Sequence, residues 1–299
     1  MFTGCGTAIV TPFARDFTID EEALRRLIRR QIEGGIDFLV PCGTTGESPT
    51  LSRAEHLRVV EITVEESHGK VPVLGGAGGY NTTEVIDLAE ELAHIGVDGI
   101  LSVTPYYNKP TQEGLYQHYR AIASSVSLPI VIYSVQSRTG VNVEPSTLAQ
   151  LAKVENIVGV KEASGNISQM ASIIQMVPPE FVVLSGDDAI TLPLIAMGGR
   201  GLISVASNEI PSEMTKLVHS CLDGDFVLAR ALQRQYLPLM EVNFIESNPI
   251  PVKSAMALMG LLEPVYRLPM VPPKPENLEK IRNVLTHLGL LARSVPVAH

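Results

Sequence analysis

Lys161 ends an apolar stretch of the sequence, where a charged residue is unexpected. The segment 157–166 reads IVGVKEASGN, so that Lys161 and Glu162 directly follow a run of strand-forming residues. An ammonium group in an apolar site is costly, which favours the neutral amine, and a neutral amine attacks carbonyl carbons to form an imine. Such an imine is an electron sink that lets the neighbouring carbon lose a proton. From spacing alone, a structural lysine paired with Asp187 or Asp188 is an equally good interpretation.

Other polar residues follow other apolar runs of the chain. The further candidates are Thr44 and Thr45 in GTTGES, Tyr106 and Tyr107 in TPYYN, Tyr133 after LPIVI, Arg138 in SRTG, Gly186 in SGDD, and Ile203 in GLIS. In parallel α/β folds, residues at the carboxyl ends of the strands meet at one face. These residue types therefore predict a shared site.

Each of these candidates also has an ordinary structural interpretation. Tyr133 would shuttle protons through its hydroxyl, or would be an amphipathic residue at the rim. The GTTG turn offers backbone N–H groups for a carboxylate, or is only a tight turn. Arg138 would grip a carboxylate with two hydrogen bonds, or would be a solvated surface arginine.

The histidines and cysteines do not form a metal-binding or disulfide pattern. His56 and the histidines that follow it to residue 118 lie in or near helical patterns, away from the strand ends. The three cysteines are widely spaced, and Cys42 in its glycine-rich loop is interpreted as a small apolar filler rather than as a nucleophile. We therefore expect no metal, and a reducing, cytoplasmic location.

The alternation of apolar runs with helical patterns predicts the fold. Eight runs rich in Val, Ile and Leu recur over roughly the first 220 residues, as in strands buried on both faces. Helical patterns lie between them, including residues 21–35 behind the N-cap Asp20 and residues 82–96. The prediction is a (β/α)₈ TIM barrel. A doubly wound open sheet is the alternative, but no GxGxxG turn follows the first run.

The rhythm of strands stops near residue 224. We predict a catalytic barrel over residues 1–224 and a C-terminal helical domain over residues 225–299. One of its helices is expected to begin in NPIPVKSAMALMG, with Asn248 as N-cap and Pro249 in the first turn. The other two are expected in GDFVLARALQRQYLPLMEVNF and PENLEKIRNVLTHLGLL.

The composition narrows the range of partners. The chain of 299 residues has 45% hydrophobic residues, and 23 basic against 32 acidic residues give a net charge of −9. An acidic surface repels nucleic-acid backbones and anionic lipids, so neither nucleic acid nor a membrane is an expected partner. The first residues show no signal-peptide pattern, and no apolar window is long enough to span a membrane.

Taken together, these motifs resemble a known family. GTTGES, TPYYN, Tyr133 with the following SRTG, GVKEASG, SGDD and NPIPVK are similar to the dihydrodipicolinate synthase / N-acetylneuraminate lyase family of pyruvate-dependent class I aldolases. The resemblance covers the whole chain. It implies a (β/α)₈ barrel with a C-terminal helical domain, assembled as a homotetramer that is a dimer of dimers. It also implies covalent catalysis with no metal or organic cofactor.

The resemblance implies catalytic roles for four residues. Lys161 would form the imine with pyruvate. Tyr133 would relay protons in a hydrogen-bonded triad with Thr44 and Tyr107, and in this family the tyrosine at the position of Tyr107 typically reaches across a dimer interface.

The resemblance also implies the substrates. Thr45 would hold the pyruvate carboxylate through its hydroxyl and backbone N–H, and Gly186 and Ile203 would shape the pocket by their backbone groups. Arg138 resembles the arginine that binds the carboxylate of L-aspartate 4-semialdehyde in the dihydrodipicolinate synthase branch. The implied reaction condenses pyruvate with that aldehyde to 4-hydroxy-tetrahydrodipicolinate, on the route to diaminopimelate and lysine.

Two alternative functions stay open at this point. One is a pyruvate-dependent aldolase or lyase for another aldehyde, of the N-acetylneuraminate or keto-deoxy sugar acid type. The other is a barrel that binds a metabolite without catalysis, although such a protein should have lost Lys161 or Tyr133. The aldehyde is in question because Ser134-Val135-Gln136 replaces the usual Asn-Val-Pro, and losing the proline frees φ and could shift Arg138.

Many members of this family are inhibited by lysine. The residues that match the positions of that allosteric site are Ser48, His56, Glu84 and Tyr106. Arg53 and Tyr80 stand where lysine-sensitive members often have His and Asn. Because a cation opposes the binding of an ammonium group, we predict weak or absent inhibition by lysine.

Overall fold

Eight parallel strands form a nearly closed barrel, as predicted. The computed structural model describes residues 2–291. The strands are β1 (Gly4–Ala8), β2 (Phe38–Val40), β3 (Leu74–Gly76), β4 (Gly99–Val103), β5 (Ile130–Ser134), β6 (Ile157–Glu162), β7 (Val182–Ser185) and β8 (Gly201–Ser204). Their order in the sheet is β2-β1-β8-β7-β6-β5-β4-β3, and a parallel bridge between Leu39 and Val73 joins its two edges. The TIM barrel is therefore confirmed.

Helices cover the outside of the barrel and continue beyond it. They are α1 (Glu21–Glu33), α2 (Arg53–Ser67), α3 (Thr82–Ile95), α4 (Gln112–Ser125), α5 (Gln136–Thr139), α6 (Pro145–Leu151), α7 (Ile167–Met176), α8 (Thr191–Ala196), α9 (Pro211–Leu222), α10 (Phe226–Val242), α11 (Ile250–Leu258) and α12 (Pro275–His287). None of the helices within residues 2–291 is long and apolar enough to cross a bilayer.

Alternation along the strands separates two apolar layers. In β5, Val131 and Tyr133 belong to an inner cluster, whereas Ile130 and Ile132 belong to the larger cluster between strands and helices. Because successive strand residues point to opposite faces, both faces of β5 are buried, which explains its continuous apolar sequence. The same alternation turns Tyr133, near the carboxyl end of β5, towards the barrel interior.

The helix signals of the sequence were mostly correct. The Asp20 side chain caps α1 by accepting a hydrogen bond from the Ala23 N–H at 2.9 Å. Gly96, with φ of 95°, ends α3 in the left-handed conformation that favours glycine. The three predicted C-terminal helices are α10, α11 and α12, and residues 292–299 of the predicted helical domain lie outside the described residues.

The predicted N-cap of α11 was wrong. The helix begins at Ile250 and Pro249 occupies the N-cap position, so Asn248 lies one residue outside it. The Asn248 side chain instead donates a hydrogen bond to the hydroxyl of Thr45, in the barrel. A buried amide is satisfied by whichever partner is in reach, and here that partner comes from a distant part of the chain.

Candidate active site

The carboxyl ends of the strands open into two adjoining cavities. The larger has a volume of about 480 Å³ and the smaller of about 310 Å³. The residues that line both are Thr44, Tyr133, Val135 and Arg138. Further candidates that line the larger cavity are Thr45, Lys161 and Gly186, and those that line the smaller cavity are Ser48, His56 and Tyr106. Most of the predicted site residues are therefore brought together.

Lys161 and Tyr133 face each other in the larger cavity. They occupy partner positions on the neighbouring strands β6 and β5. The Nζ atom of Lys161 lies 4.2 Å from the centroid of the Tyr133 ring. Both residues are largely buried, with exposed fractions of 5% and 6%. An aromatic face attracts a lysine and orients it without a carboxylate.

The carboxylates proposed as structural partners of Lys161 are used elsewhere. Asp187 accepts a hydrogen bond from the Ala189 N–H at 2.9 Å. Asp188 is buried and accepts from the Val205 N–H at 3.0 Å. Within residues 2–291, neither forms an ion pair with Lys161, so the purely structural interpretation of this lysine loses its basis.

Glu162, next to Lys161 in sequence, also serves another purpose. Its side chain accepts hydrogen bonds from the Gln169 amide at 2.8 Å and from the Ser164 N–H at 3.2 Å. Burial raises the pKa of the Glu162 carboxyl, and these hydrogen bonds oppose the rise. Since adjacent strand residues point to opposite faces, Glu162 lies on the other side of β6 from Lys161.

The GTTGES segment forms a closed turn beside the larger cavity. The Glu47 N–H donates to the Thr44 carbonyl at 3.1 Å, which closes the turn. Thr45 is buried, and its hydroxyl accepts a hydrogen bond from the Asn248 amide at 2.9 Å. Both threonines thus have defined positions at the cavity wall.

Arg138 reaches both cavities from the short helix α5. Its backbone N–H donates to the Val135 carbonyl at 3.0 Å, and Gly140 ends the helix with φ of 71°. The exposed guanidinium donates to the Asn248 carbonyl at 3.3 Å. Gln136 is the first residue of α5, a position where a helix tolerates proline and most other residues alike. Losing the proline leaves Arg138 at the cavity.

Gly186 and Ile203 lie at different distances from the cavity. A Cβ atom on Gly186 would stand 3.2 Å from Lys161 Cε and 2.6 Å from Ala163 Cβ, so the absence of a side chain leaves room beside the lysine. Ile203 is 1% exposed and packs in the inner cluster that also contains Tyr133. Its side chain lines neither cavity.

The two tyrosines of TPYYN point in different directions. Tyr106 lines the smaller cavity and packs edge-on against Tyr80, with ring centroids 5.2 Å apart. Tyr107 has φ of 67° and an exposed fraction of 90%, and it lines neither cavity. A single chain therefore brings Thr44 and Tyr133 together but not Tyr107.

His56 lies closer to the site than the sequence analysis expected. It belongs to α2, but it lines the smaller cavity and its Nε2 is 2.8 Å from the Gly76 carbonyl at the end of β3. The expectation that it stays away from the strand ends was wrong, because one face of α2 packs against the barrel mouth. Burial lowers the pKa of His56, and the nearby Arg53 adds to this effect.

Two further residues named for the allosteric lysine site, Glu84 and Arg53, have side-chain partners outside the two cavities. Glu84 lines neither cavity, and its side chain accepts from the Asn81 amide at 2.9 Å. Arg53 pairs with Glu91 at 2.8 Å.

Cys42 does not have the features of a nucleophile. It lines the smaller cavity but is 3% exposed, and burial raises the pKa of its thiol far above the ordinary value. The neutral thiol is a poor nucleophile, which agrees with its interpretation as a filler. Within residues 2–291, no group of three or more His, Cys, Asp or Glu side chains could hold a metal ion.

Comparison with known proteins decides the family. The sequence model of the Dihydrodipicolinate synthetase family matches residues 1–288. The chain belongs to this family. A 4-hydroxy-tetrahydrodipicolinate synthase of Koribacter versatilis (strain Ellin345) is 54% identical over 289 residues, which are 96% of each chain.

Solved structures of the dihydrodipicolinate synthetase family share the whole fold. The dihydrodipicolinate synthase of Aquifex aeolicus is 43% identical, with a TM-score of 0.96 over 98% of this chain and 100% of that one. A structure described as the first monomeric dihydrodipicolinate synthase variant is 45% identical, with a TM-score of 0.95 over 97% of this chain and 98% of that one. The chain is thus a lyase of this family, as the motifs predicted.

Proposed function

We propose that this chain is a 4-hydroxy-tetrahydrodipicolinate synthase, which condenses pyruvate with L-aspartate 4-semialdehyde. The observation that carries the proposal is the pairing of Lys161 with Tyr133 in one cavity that also contains Thr45 and Arg138. This arrangement offers an amine for a carbonyl, a hydroxyl for proton transfer and two separate groups for carboxylates. The first substrate has one carboxylate, and so does the second.

The chemistry starts at the Lys161 amine. The amine attacks the carbonyl carbon of pyruvate, and the carbonyl oxygen leaves as water to give an imine. The imine withdraws electrons, so the methyl carbon loses a proton and becomes a nucleophile. That carbon adds to the aldehyde carbon of the second substrate, whose oxygen takes up a proton.

Release of the product regenerates the lysine. The amino group of the second substrate attacks the imine carbon, closes the ring and displaces the Lys161 amine. One pyruvate and one aldehyde give one product and one water, so the bonds balance without a redox step. The reaction needs no cofactor besides the covalent imine on Lys161.

Proton transfer falls to Tyr133 in this mechanism. Its hydroxyl takes the proton from the methyl carbon of the imine and gives a proton to the aldehyde oxygen, and Thr44, which lines both cavities with it, is its candidate partner in the same chain. Tyr107 completes the triad from a second copy of the chain. Its exposed fraction of 90% supports this role, because a side chain so exposed is free to enter a neighbouring subunit.

Binding of the two carboxylates is divided between the turn and α5. Thr45 holds the pyruvate carboxylate by its hydroxyl and backbone N–H, while the backbones of Gly186 and Ile203 shape the adjoining wall. Arg138 holds the carboxylate of the aldehyde with two hydrogen bonds. The helical turn that positions Arg138 despite Gln136 supports L-aspartate 4-semialdehyde over a sugar aldehyde without that carboxylate.

The chain is organised as a barrel and an appended helical domain. We infer that residues 1–224 form the catalytic unit and residues 225–299 the helical domain, which assembles with other copies into a homotetramer in the cytoplasm. Because a similar structure is described as a monomeric variant, the number of subunits in the assembly should be measured by analytical ultracentrifugation. Sedimentation as a single subunit that retains full activity would contradict the role proposed for Tyr107.

Weak or absent inhibition by lysine is part of the proposal. The charge of Arg53 opposes the protonation of His56, while its partner Glu91 favours it, and Arg53 would oppose a lysine ammonium in the same way. The rate measured against lysine concentration tests this, with an Arg53→His variant as the matched control. Inhibition in the range of cellular lysine would contradict the proposal.

The central experiment is pyruvate consumption with L-aspartate 4-semialdehyde, beside a Lys161→Ala control. We expect turnover in the unchanged chain only. Borohydride with pyruvate should label the unchanged chain irreversibly at Lys161 and leave the control unlabelled. Labelling without turnover would keep the imine chemistry and indicate another aldehyde, such as N-acetylmannosamine. The absence of both labelling and turnover would favour a barrel that only binds a metabolite.

A further inference from the structure

The helical region after residue 224 contacts the turn of residues 43–48 at two buried points. The Asn248 amide donates to the Thr45 hydroxyl at 2.9 Å. The Nζ atom of Lys253 lies 2.6 Å from a carboxylate oxygen of Glu47. The partners are 203 and 206 positions apart in the chain. A single tight turn of the barrel is thus held by a distant part of the sequence.

We propose that Asn248, Glu47 and Lys253 are positioning residues, which fix the turn so that Thr45 can bind the carboxylate of pyruvate. Glu47 and Lys253 line neither cavity and Asn248 lines the larger one, but the role inferred for all three is exerted through Thr45. This inference rests on the proposed function, in which Thr45 is the carboxylate ligand.

The contact with Asn248 determines which hydrogen bond the Thr45 hydroxyl can still form with a ligand. A threonine hydroxyl can accept hydrogen bonds and has one proton to donate. The Asn248 amide supplies a donor to the oxygen, and among the hydrogen bonds of residues 2–291 that oxygen donates to no group. Thr45 is 2% exposed and lines the larger cavity. Its proton therefore remains available for an anionic ligand in that cavity.

The contact with Lys253 holds the backbone of the turn. Glu47 has φ of 55°, in the left-handed region where residues other than glycine are strained. Its N–H donates to the Thr44 carbonyl at 3.1 Å, and its carbonyl accepts from the Thr50 N–H at 2.9 Å. A residue in this conformation must be held by its surroundings, and the side-chain contact with Lys253 does so.

The buried ion pair between Glu47 and Lys253 is better suited to positioning the turn than to stabilising the fold. The side chains of Lys253 and Glu47 have exposed fractions of 0% and 2%, and Lys253 Nζ lies 4.3 Å from the Phe13 ring centroid. Replacing a buried ion pair with apolar residues of similar volume often leaves stability unchanged or raises it. Apolar residues cannot reproduce the short contact between the Glu47 carboxylate of the turn and the Lys253 ammonium of α11, which fixes the distance between these two elements.

The first test is Asn248→Leu, which keeps the volume and removes the amide. We expect the KM for pyruvate to rise about tenfold, because losing one hydrogen bond that supports the binding of a charged ligand weakens affinity by about that factor. The kcat should change less than about threefold. The half-saturating pyruvate concentration in borohydride trapping should rise by the same factor. A merely structural role would lower the amount of active enzyme and leave both values unchanged.

The matched control is Asn243→Leu. Asn243 is also buried and donates to a residue of the barrel, Glu209, but away from the turn. It should destabilise the fold while the KM for pyruvate stays the same. An equal rise of the KM in both variants would overturn the inference, as would an unchanged KM in Asn248→Leu.

A double-mutant cycle distinguishes this inference from the proposed function. Thr45→Ala should raise the KM for pyruvate, and adding Asn248→Leu should then have little further effect, because both changes remove the same interaction. If Thr45→Ala has no effect, the ligand role in the proposed function is wrong and the positioning role falls with it. If Thr45→Ala has its effect and Asn248→Leu has none, only the positioning role is wrong.

The ion pair is tested by the double variant Glu47→Met with Lys253→Met, which leaves no unpaired charge to prevent folding. We expect a folded enzyme with a KM for pyruvate raised about threefold to tenfold and nearly the same kcat. The control Ser254→Ala changes the same helix and should leave the KM unchanged, because within the described residues 2–291 the Ser254 hydroxyl bonds to Ile250 and Tyr266 and not to the turn. An unchanged KM in the double variant would overturn the role of the pair.

Discussion

Lys161 and Lys253 are both buried lysines placed beside an aromatic ring, yet only one is suited to react. Their Nζ atoms lie 4.2 Å from the ring centroid of Tyr133 and 4.3 Å from that of Phe13. Lys253 also lies 2.6 Å from the carboxylate of Glu47, whereas among residues 2–291 Lys161 has no carboxylate partner. The first difference between them is therefore the carboxylate partner.

Access to a cavity is the second difference. Lys161 lines the larger cavity, while Lys253 lines neither and is wholly buried. Burial lowers the pKa of Lys253, and the charge of Glu47 and its hydrogen bond oppose this fall, so the enclosed lysine serves a structural contact. One that has no carboxylate partner and is open to a cavity is placed to attack a ligand there. The two lysines should therefore respond in opposite ways to removal.

The largest effect is expected at Lys161. Replacing it with Ala removes the nucleophile, so the rate should fall at least about 10⁴-fold. Because no ion pair is broken, the free energy of unfolding should be unchanged or slightly higher. Initial rates and urea unfolding measure both quantities. Residual activity near the original level would mean that Lys161 does not form the imine.

The next effect is expected at the ring that faces this lysine. Tyr133→Phe keeps the aromatic face and removes the hydroxyl, so the rate should fall about 10²-fold to 10⁴-fold. Borohydride labelling of Lys161 with pyruvate should persist, because the amine is still present. Loss of labelling together with the rate would assign Tyr133 to imine formation rather than to the later proton transfers.

The sequence could predict Lys161 and its surroundings because the signals are local. Unbroken apolar runs identify strands buried on both faces, and the residues that follow them share one end of a parallel barrel. Tyr133 and Lys161 each lie near the end of such a run, so their place at the same end of the barrel followed from the topology. The register that sets them side by side is an observation of the structure.

The sequence could not predict the contacts of the other lysine. Glu47 and Lys253 are 206 positions apart, and no local pattern relates a tight turn to a later helix. Asn248 was assigned as an N-cap because its residue type suits that position, but Thr45 was the partner in reach. His56 was misplaced for a related reason, since periodicity does not show which turn of a helix meets the barrel mouth.

Removing Lys253 should affect stability first. Lys253→Met leaves Glu47 buried without its partner, so the free energy of unfolding should fall by about 3–5 kcal/mol. Urea unfolding at neutral pH measures the loss. Lys161→Met, the matched substitution at the unpaired lysine, should cost little or nothing.

The added substitution Glu47→Met provides the control for this loss. It removes the stranded carboxyl, so it should recover most of the stability lost in Lys253→Met. Stability that stays low in the double variant would mean that lost packing around Phe13 explains the effect, and the contrast between the two lysines would then rest on reactivity alone.

The smallest effect concerns a second cation of the C-terminal region, at a partly exposed pair. Arg267 donates to Glu55 at 3.0 Å, and this hydrogen bonding lowers the pKa of the Glu55 carboxyl to about 2. Because the pKa is lower in the folded state, the pair stabilises the fold fully above the unfolded pKa of about 4.3 and loses its effect as the pH falls towards 2.

Arg267→Met should therefore cost about 1 kcal/mol at neutral pH, since partly exposed pairs contribute little. The difference in the free energy of unfolding between the variant and the unchanged chain should shrink below about pH 4, where Glu55 takes up its proton in the unfolded state. Urea unfolding at a series of pH values measures it. A difference that stays constant with pH would instead reflect the other contacts of Arg267, which do not titrate: its packing on the Phe13 ring and its hydrogen bonds to the carbonyls of Phe17 and Thr50. In that case only the buried pair of Lys253 and Glu47 would act on stability through its charges, and Arg267 would act through contacts that do not depend on the charge of Glu55.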